Sequence, residues 1–307
     1  MIAANASGIG TSSRPPCPIC GTGDTTRAFV RNGYDVWRCR ACGLRLLWPQ
    51  PDDATLAGVY NSDYFLGDRS VEGEGHSAGL KHETARRYVK ALCAYPLLSG
   101  GRRLLEIGCG VGEFLIEADA VGFVVQGLEV SPHAAAVANQ RLGAERVHVG
   151  PLEKVALPSD SFDVIAFSDV IEHIRDPLAF LQRVHSLLRP GGAVLLVTPS
   201  VDSWSAVLLG RHWMEYKVEH LYYFGKRSLG AALKRAGFTE ITMRANQKTL
   251  SLDYVARHFA RFPVPVVGSA VCLLRAATPD GLAHRPVNVR ASGLLALARK
   301  PVSSQPY

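Results

Sequence analysis

Between residues 102 and 199 the apolar positions follow two rhythms in turn. Short, nearly unbroken runs at Arg103–Ile107, Val124–Glu129, Arg146–Val149, Phe162–Ser168 and Ala193–Thr198 have the length and composition of strands buried on both faces. Between them, Glu113–Val121, Pro132–Arg141 and Pro177–Leu188 carry apolar residues at helical spacing. Ser131 followed by Pro132 marks a helix start, because the serine side chain can accept an orphan backbone N–H and proline needs none at the first position. Arg189-Pro190-Gly191-Gly192 ends the third helix. Strand and helix units at this spacing predict an α/β fold, a doubly wound and mostly parallel sheet with helices on both faces.

The rhythm differs on either side. Residues 1–14 are small and polar and are expected to be disordered. A cysteine-bearing segment spans 15–50, with strand-like Tyr34–Arg38, and leads into an aromatic connector over 51–80 that contains Tyr60, Tyr64 and Phe65. A helix is expected over Leu80–Leu92. After Pro199 comes a run rich in Trp, Tyr and His, read as an acceptor lid over about 199–228 because it breaks the apolar strand pattern. Then follow a helix at Lys226–Ala236, a strand at Thr239–Ala245, a helix at Thr249–Phe262, a Pro-bounded apolar stretch ending at Arg275, and a strand at Val287–Ala298. Residues 246–286 are read as an insertion in a domain running from 81 to 307.

Composition narrows this picture only slightly. With 47% hydrophobic and 20% charged residues the chain has an ordinary globular balance. The net charge of +7 favours anionic partners in general, but the basic residues are scattered, so the footprint expected of a nucleic-acid binder is missing. The apolar stretches Val264–Leu274 and Ala193–Val197 are too short to cross a bilayer of about 30 Å. The first residues lack an apolar core of the signal-peptide kind, so a cytoplasmic, reducing location is expected.

Four of the seven cysteines pair as Cys17-x-x-Cys20 and Cys39-x-x-Cys42, each pair followed by glycine, with eighteen residues between. That spacing predicts a metal site, and four thiolates close a tetrahedral shell with no position left for water. The expected ion is a structural zinc, since so small a ribbon cannot bury a core large enough to fold alone.

Glu106-Ile107-Gly108-Cys109-Gly110-Val111-Gly112-Glu113 lies between the first strand of the main domain and a helix. Alternate glycines let the backbone approach a ligand, and Glu129, ending the next strand about 20 residues on, stands where such folds place a carboxylate on ribose hydroxyls. Glu106 and Glu113 would repel a pyrophosphate, whereas a ligand with a sulfonium and an ammonium would be attracted. Charge thereby separates two ligands that glycine spacing does not. The competing reading makes Glu106 a partly exposed cap of the following helix.

The runs LLEIGCGVGEFL, FDVIAFSDVIEHIRDP and LLRPGGAVLLVTP, in this order, resemble the seven-stranded, Rossmann-like S-adenosyl-L-methionine-dependent methyltransferases, in the group with the ubiquinone-type, small-molecule and sugar enzymes. The resemblance implies that Glu106, Gly108, Cys109, Gly110 and Gly112 surround the methionine part of the cofactor and that Glu129 holds the ribose. Val130, Leu152 and Glu153 would lie by the adenine. Ser168 and Asp169 would face the cofactor and open onto the acceptor. The acceptor it implies is a small molecule, sugar- or lipid-linked, methylated on oxygen or carbon.

A hydroxyl or carbon acid needs a base, and His173 and His220 are the candidates, because imidazole titrates near neutrality. Two further readings stay open at this point. In one, the ribbon grips RNA as in some RNA methyltransferases, although Ser168-Asp169-Val170-Ile171 lacks the Pro-Pro-aromatic motif of base amino-methylation. In the other, the chain is a non-catalytic zinc-binding interaction protein.

Overall fold

The computed structural model describes residues 14–59, 74–261 and 267–302. The expected disorder of residues 1–13 and most of the aromatic connector, with Tyr60, Tyr64 and Phe65, lie outside the described residues. At the N-terminal end, β1 (Thr25–Arg31) and β2 (Tyr34–Cys39) form a hairpin. Its turn residues Asn32 and Gly33 have φ of 51° and 83°, the left-handed pair that a two-residue hairpin turn requires. β3 (Arg45–Trp48) pairs antiparallel with β2. α1 (Asp53–Val59) and the long α2 (Glu74–Cys93) lead to the main sheet.

Five parallel strands follow: β4 (Arg103–Ile107), β5 (Val124–Glu129), β6 (Val147–Val149), β7 (Phe162–Ser168) and β8 (Leu188–Pro199). The helices between them are α3 (Glu113–Ala120), α4 (Pro132–Leu142) and α5 (Pro177–Leu187). Local chemistry sets their starts. Ser131 Oγ accepts from the backbone N–H of Ala134 at 3.3 Å, and the Asp176 carboxylate accepts from that of Ala179 at 3.0 Å, each just ahead of a proline. β8 begins at Leu188, five residues before the expected Ala193. Its pairing with β7 jumps from Phe162↔Leu188 to Val164↔Ala193, and this irregularity accommodates Pro190.

Beyond β8 come α6 (Trp204–Leu209), β9 (Tyr222–Tyr223), α7 (Lys226–Arg235), β10 (Thr239–Leu250), α8 (Leu252–Arg261), α9 (Val267–Ala277), α10 (Asp280–Ala283) and β11 (Val287–Arg299). β10 continues past the expected Ala245, so Thr249 and Leu250 belong to the strand and the following helix starts only at Leu252. The Pro-bounded apolar stretch is a helix, α9. The seven-stranded sheet has the order β10-β11-β8-β7-β4-β5-β6, with β10 and β11 antiparallel to their neighbours. Core residues fill both of its faces, Leu105, Ile165, Val194 and Leu196 on one, and Leu104, Val125, Val164 and Leu195 on the other. Alternate burial on both sides is what the unbroken apolar runs of the sequence encode. Among the described residues no helix is long and apolar enough to cross a membrane.

β9 does not join that sheet. It pairs with β3 and completes a four-stranded sheet β1-β2-β3-β9, so the cysteine ribbon shares a strand with the main domain. The aromatic run supplies the joint. Trp213, Tyr216 and Tyr223 are fully buried against Val36 and Leu47 of the ribbon. Within the stretch read as an acceptor lid, these three side chains are interior packing and form a second core.

Candidate functional site

β4 ends in the glycine loop at the carboxyl edge of the sheet. The N–H groups of Gly108 and Cys109 both donate to Leu128 O, at 2.8 and 3.1 Å, which lashes the loop to β5. Gly108 has φ 70°, and a Cβ there would lie 2.7 Å from Val170 Cγ2, so both conformation and space demand glycine. Gly110 N–H donates to Glu129 Oε2 at 2.8 Å, and Ser131 N–H donates to Oε1 at 2.9 Å. Glu129 is buried and aimed at the loop by these two bonds, with further lone pairs on both oxygens.

Glu106 is buried as well, and its carboxyl is pushed well above the usual range by burial, then by Glu113 and Glu129. Its Oε2 is enclosed with no hydrogen-bond partner among the described residues. The reading of Glu106 as an exposed helix cap is thereby corrected, since no side chain caps α3 at Gly112. Glu113 lies 3.9 Å from both Lys81 and Arg141, too far for tight pairing. Three carboxyl groups therefore cluster about a loop whose Gly108, Cys109, Gly110 and Gly112 amides are already paired within the protein. Cys109 is buried and its thiol raised, chiefly by burial, so it is no nucleophile.

The remaining expected residues spread along the same edge. Val130 is 51% exposed directly after Glu129, whereas Leu152 is core and Glu153 is exposed. Ser168 Oγ donates to Asp169 Oδ2 at 3.3 Å. Asp169 has φ 55°, a strained backbone for a non-glycine residue and a feature common at ligand sites. Its side chain is 44% exposed, and the Lys248 ammonium, 3.2 Å from Oδ2, holds its carboxyl lowered. Lys248 reaches Asp169 from β10, where Asn246 Nδ2 donates to Tyr88 OH at 2.8 Å. The sequence reading missed Lys248, Asn246 and Tyr88, and no local signal marks them, because 79 residues separate Lys248 from Asp169.

His173 and His220 meet. Their rings stand edge to face with centroids 4.7 Å apart. His173 lies on the short turn Ile171–His173 after β7, and its Nδ1–H donates to Glu219 O at 2.9 Å. His220 Nδ1–H donates to Glu215 O, also at 2.9 Å. A carbonyl only accepts, so both neutral rings carry the proton on Nδ1 and present Nε2 as the basic nitrogen. Burial lowers His173 to about 4, and burial followed by the neighbouring His173 lowers His220 well below its usual value. Glu172 joins them, with the ligand atoms of all three residues within 4.8 Å of one another. Its carboxyl is raised by burial and then by Asp169, and Thr198 Oγ1 donates to its Oε2 at 2.9 Å.

The ribbon touches this cluster through the backbone. Leu221 N–H donates to Glu172 O at 2.8 Å, while Leu47 N–H donates to Leu221 O at 3.0 Å. Arg175 donates to Gln50 Oε1, Pro51 O and the Asp53 carboxylate. In the ribbon the four thiols converge, with Cys17 and Cys42 sulfurs 3.6 Å apart and Cys20 and Cys39 sulfurs 3.5 Å apart. All four sulfurs lie within 4.8 Å of one another.

A family model described as a methyltransferase domain matches residues 80–242. A ubiquinone biosynthesis O-methyltransferase of Cereibacter sphaeroides is 34% identical over 143 residues, 44% of this chain and 57% of the relative. A malonyl-[acyl-carrier protein] O-methyltransferase of Serratia marcescens is 30% identical over 139 residues, 45% of this chain and 52% of the relative. The chain thus spans little more than half the length of these curated relatives. Among solved structures, phosphoethanolamine N-methyltransferase 2 of Haemonchus contortus, in complex with S-adenosyl-L-methionine, superposes with a TM-score of 0.51 at 16% identity. That match covers 90% of this chain and 71% of the other, and it speaks for the fold alone. With the match to the family model extending over more than half its length, the chain belongs to the methyltransferase-domain family.

Proposed function

We propose that the protein transfers a methyl group from S-adenosyl-L-methionine to a small-molecule acceptor of the sugar or natural-product kind, on oxygen or carbon, with a structural zinc in its ribbon. The observation that carries this reading is the buried pair Glu106 and Glu129 around the glycine loop. A phosphate-bearing coenzyme would meet three carboxyl groups there, whereas a ligand with cationic sulfur and amine groups is complementary. The orphaned Glu106 Oε2 fits a ligand ammonium, and Glu129 has lone pairs to spare for ribose hydroxyls. When bound, S-adenosyl-L-methionine supplies an electrophilic methyl carbon.

The chain's own part is to bind, orient and dehydrate. Gly108, Cys109, Gly110 and Gly112 offer close backbone approach, Val130, Leu152 and Glu153 border the adenine side, and Ser168 and Asp169 open towards the acceptor. His173 or His220 takes the single proton that the acceptor gives up. Both are neutral at physiological pH and so free to accept a proton on Nε2, beside the Glu172 carboxyl that burial and then Asp169 raise. Zinc suits the four converging sulfurs, which leave no open position and so no catalytic role for the ion. A crystal grown with S-adenosylhomocysteine tests the assignment. Adenosyl density with its ribose on Glu129 is expected, and an empty loop would contradict it.

A further inference from the structure

Six large apolar side chains stand in solvent at one end of the molecule: Trp204, Val207 and Leu208 on α6, Leu273 and Leu274 on α9, and Leu282 on α10, each between 57% and 74% exposed. Topology places them together. α6 follows β8 at the carboxyl edge of the sheet. β11 runs antiparallel to β8, with Gly293 opposite Pro199, so Val287–Ser292 project beyond that same edge. Leu250 pairs with Val287, and therefore α8, α9 and α10, which connect β10 to β11, lie there too. The indole Nε1–H of Trp204 donates to Arg290 O at 2.9 Å and ties the first group to the second. This is the edge that carries the glycine loop, Asp169 and the histidines.

Charge distinguishes the possible occupants. Arg211 and Arg285 are exposed three residues after Leu208 and Leu282, Arg290 is exposed with its carbonyl on Trp204, and none of the three forms an ion pair among the described residues. The carboxylates nearby are engaged. Asp253 binds Arg257 and Arg275, Asp280 binds Arg275, and Asp202 accepts from the Lys226 N–H. A two-fold dimer through this face would set uncompensated arginines against their own copies. A bilayer bearing anionic phospholipid matches both the apolar and the cationic parts.

We propose that this edge docks on an anionic phospholipid bilayer at its interface, with α6, α9 and α10 turned towards the headgroups. No described helix is long and apolar enough to span the bilayer, so the contact is peripheral. The proposal stands apart from the methyl-transfer reading, since docking is measured without turnover.

Flotation of the full chain with vesicles of phosphatidylcholine alone, and of phosphatidylcholine mixed with phosphatidylglycerol, tests it. Binding to the mixed vesicles only, weakened about tenfold by high salt or by Val207→Asp with Leu208→Asp, is the expected result. The pair Leu273→Asp with Leu274→Asp should act alike. Circular dichroism and S-adenosylhomocysteine affinity in each variant report folding separately. Equal partition into both vesicle types, no partition, or unchanged partition of folded variants would overturn it. So would a dimer that the same substitutions dissolve.

Discussion

Replacing Trp213 by alanine separates a structural joint from an acceptor lid. Its ring is wholly buried, packs edge-on to Tyr216 with centroids 5.2 Å apart, and its Nε1–H donates to Ser205 Oγ at 3.2 Å. Tyr216 in turn packs on Phe29 of the ribbon and on Tyr223 of β9. Truncating a buried aromatic of this size costs about 3–5 kcal/mol, through lost burial and the cavity left behind. The orphaned Ser205 hydroxyl falls within that range. Against a folding free energy of about 5–15 kcal/mol this is a large share. At about 2–4 °C per kcal/mol for a chain of this class, the melting point should fall by about 6–20 °C. Urea unfolding followed by tryptophan fluorescence reads the loss, and calorimetry with S-adenosylhomocysteine should show an unchanged cofactor affinity. A variant less than about 1 kcal/mol weaker than wild type, but with a raised KM for its acceptor, would refute the joint and restore the lid.

Other consequences follow from the same structure. Elemental analysis should find one zinc per chain, and Cys39→Ser should abolish it and lower the melting point, whereas stable metal-free protein would contradict the ribbon's dependence on metal. Gly108→Ala should lose about 1–2 kcal/mol of stability or more from its positive φ and the Val170 contact, and normal melting would contradict this. His173 is lowered to about 4 in the fold from an ordinary 6.5, so the unfolded chain binds the extra proton first. Its contribution is complete above pH 6.5 and disappears as pH falls towards 4. Removing the imidazole with His173→Asn should flatten that part of a stability–pH curve, and an unaltered slope would contradict the assignment.

The order of β4 to β8 and their helices was legible because the strands are short, mostly apolar runs, with glycine after β4 and β6, and because Ser131-Pro132 and Asp176-Pro177 announce helix starts. The glycine loop and its contact with Glu129 were legible because the glycines are adjacent in sequence and Glu129 ends the very next strand. What stayed hidden is non-local. β9 is two residues long, and nothing in Tyr222-Tyr223 states that its partner is the ribbon strand Arg45–Trp48. Trp, Tyr and His suit a wet cleft and a dry joint alike, so their clustering did not decide between lid and core. α9 carries apolar residues around most of its circumference and so lacks a helical stripe. Lys248 on Asp169 is a pairing made by the fold, invisible until β10 is seen to extend beyond its expected end.

Titration calorimetry of S-adenosyl-L-methionine and of NAD, on the wild type and on Glu129→Ala, addresses the acidic glycine loop most directly. The sulfonium ligand should bind the wild type, lose about 1–3 kcal/mol of affinity in the variant through its missing charged hydrogen bonds, and leave NAD without measurable heat. Tight NAD binding by the wild type, or an identical affinity for S-adenosyl-L-methionine in both proteins, would contradict the account.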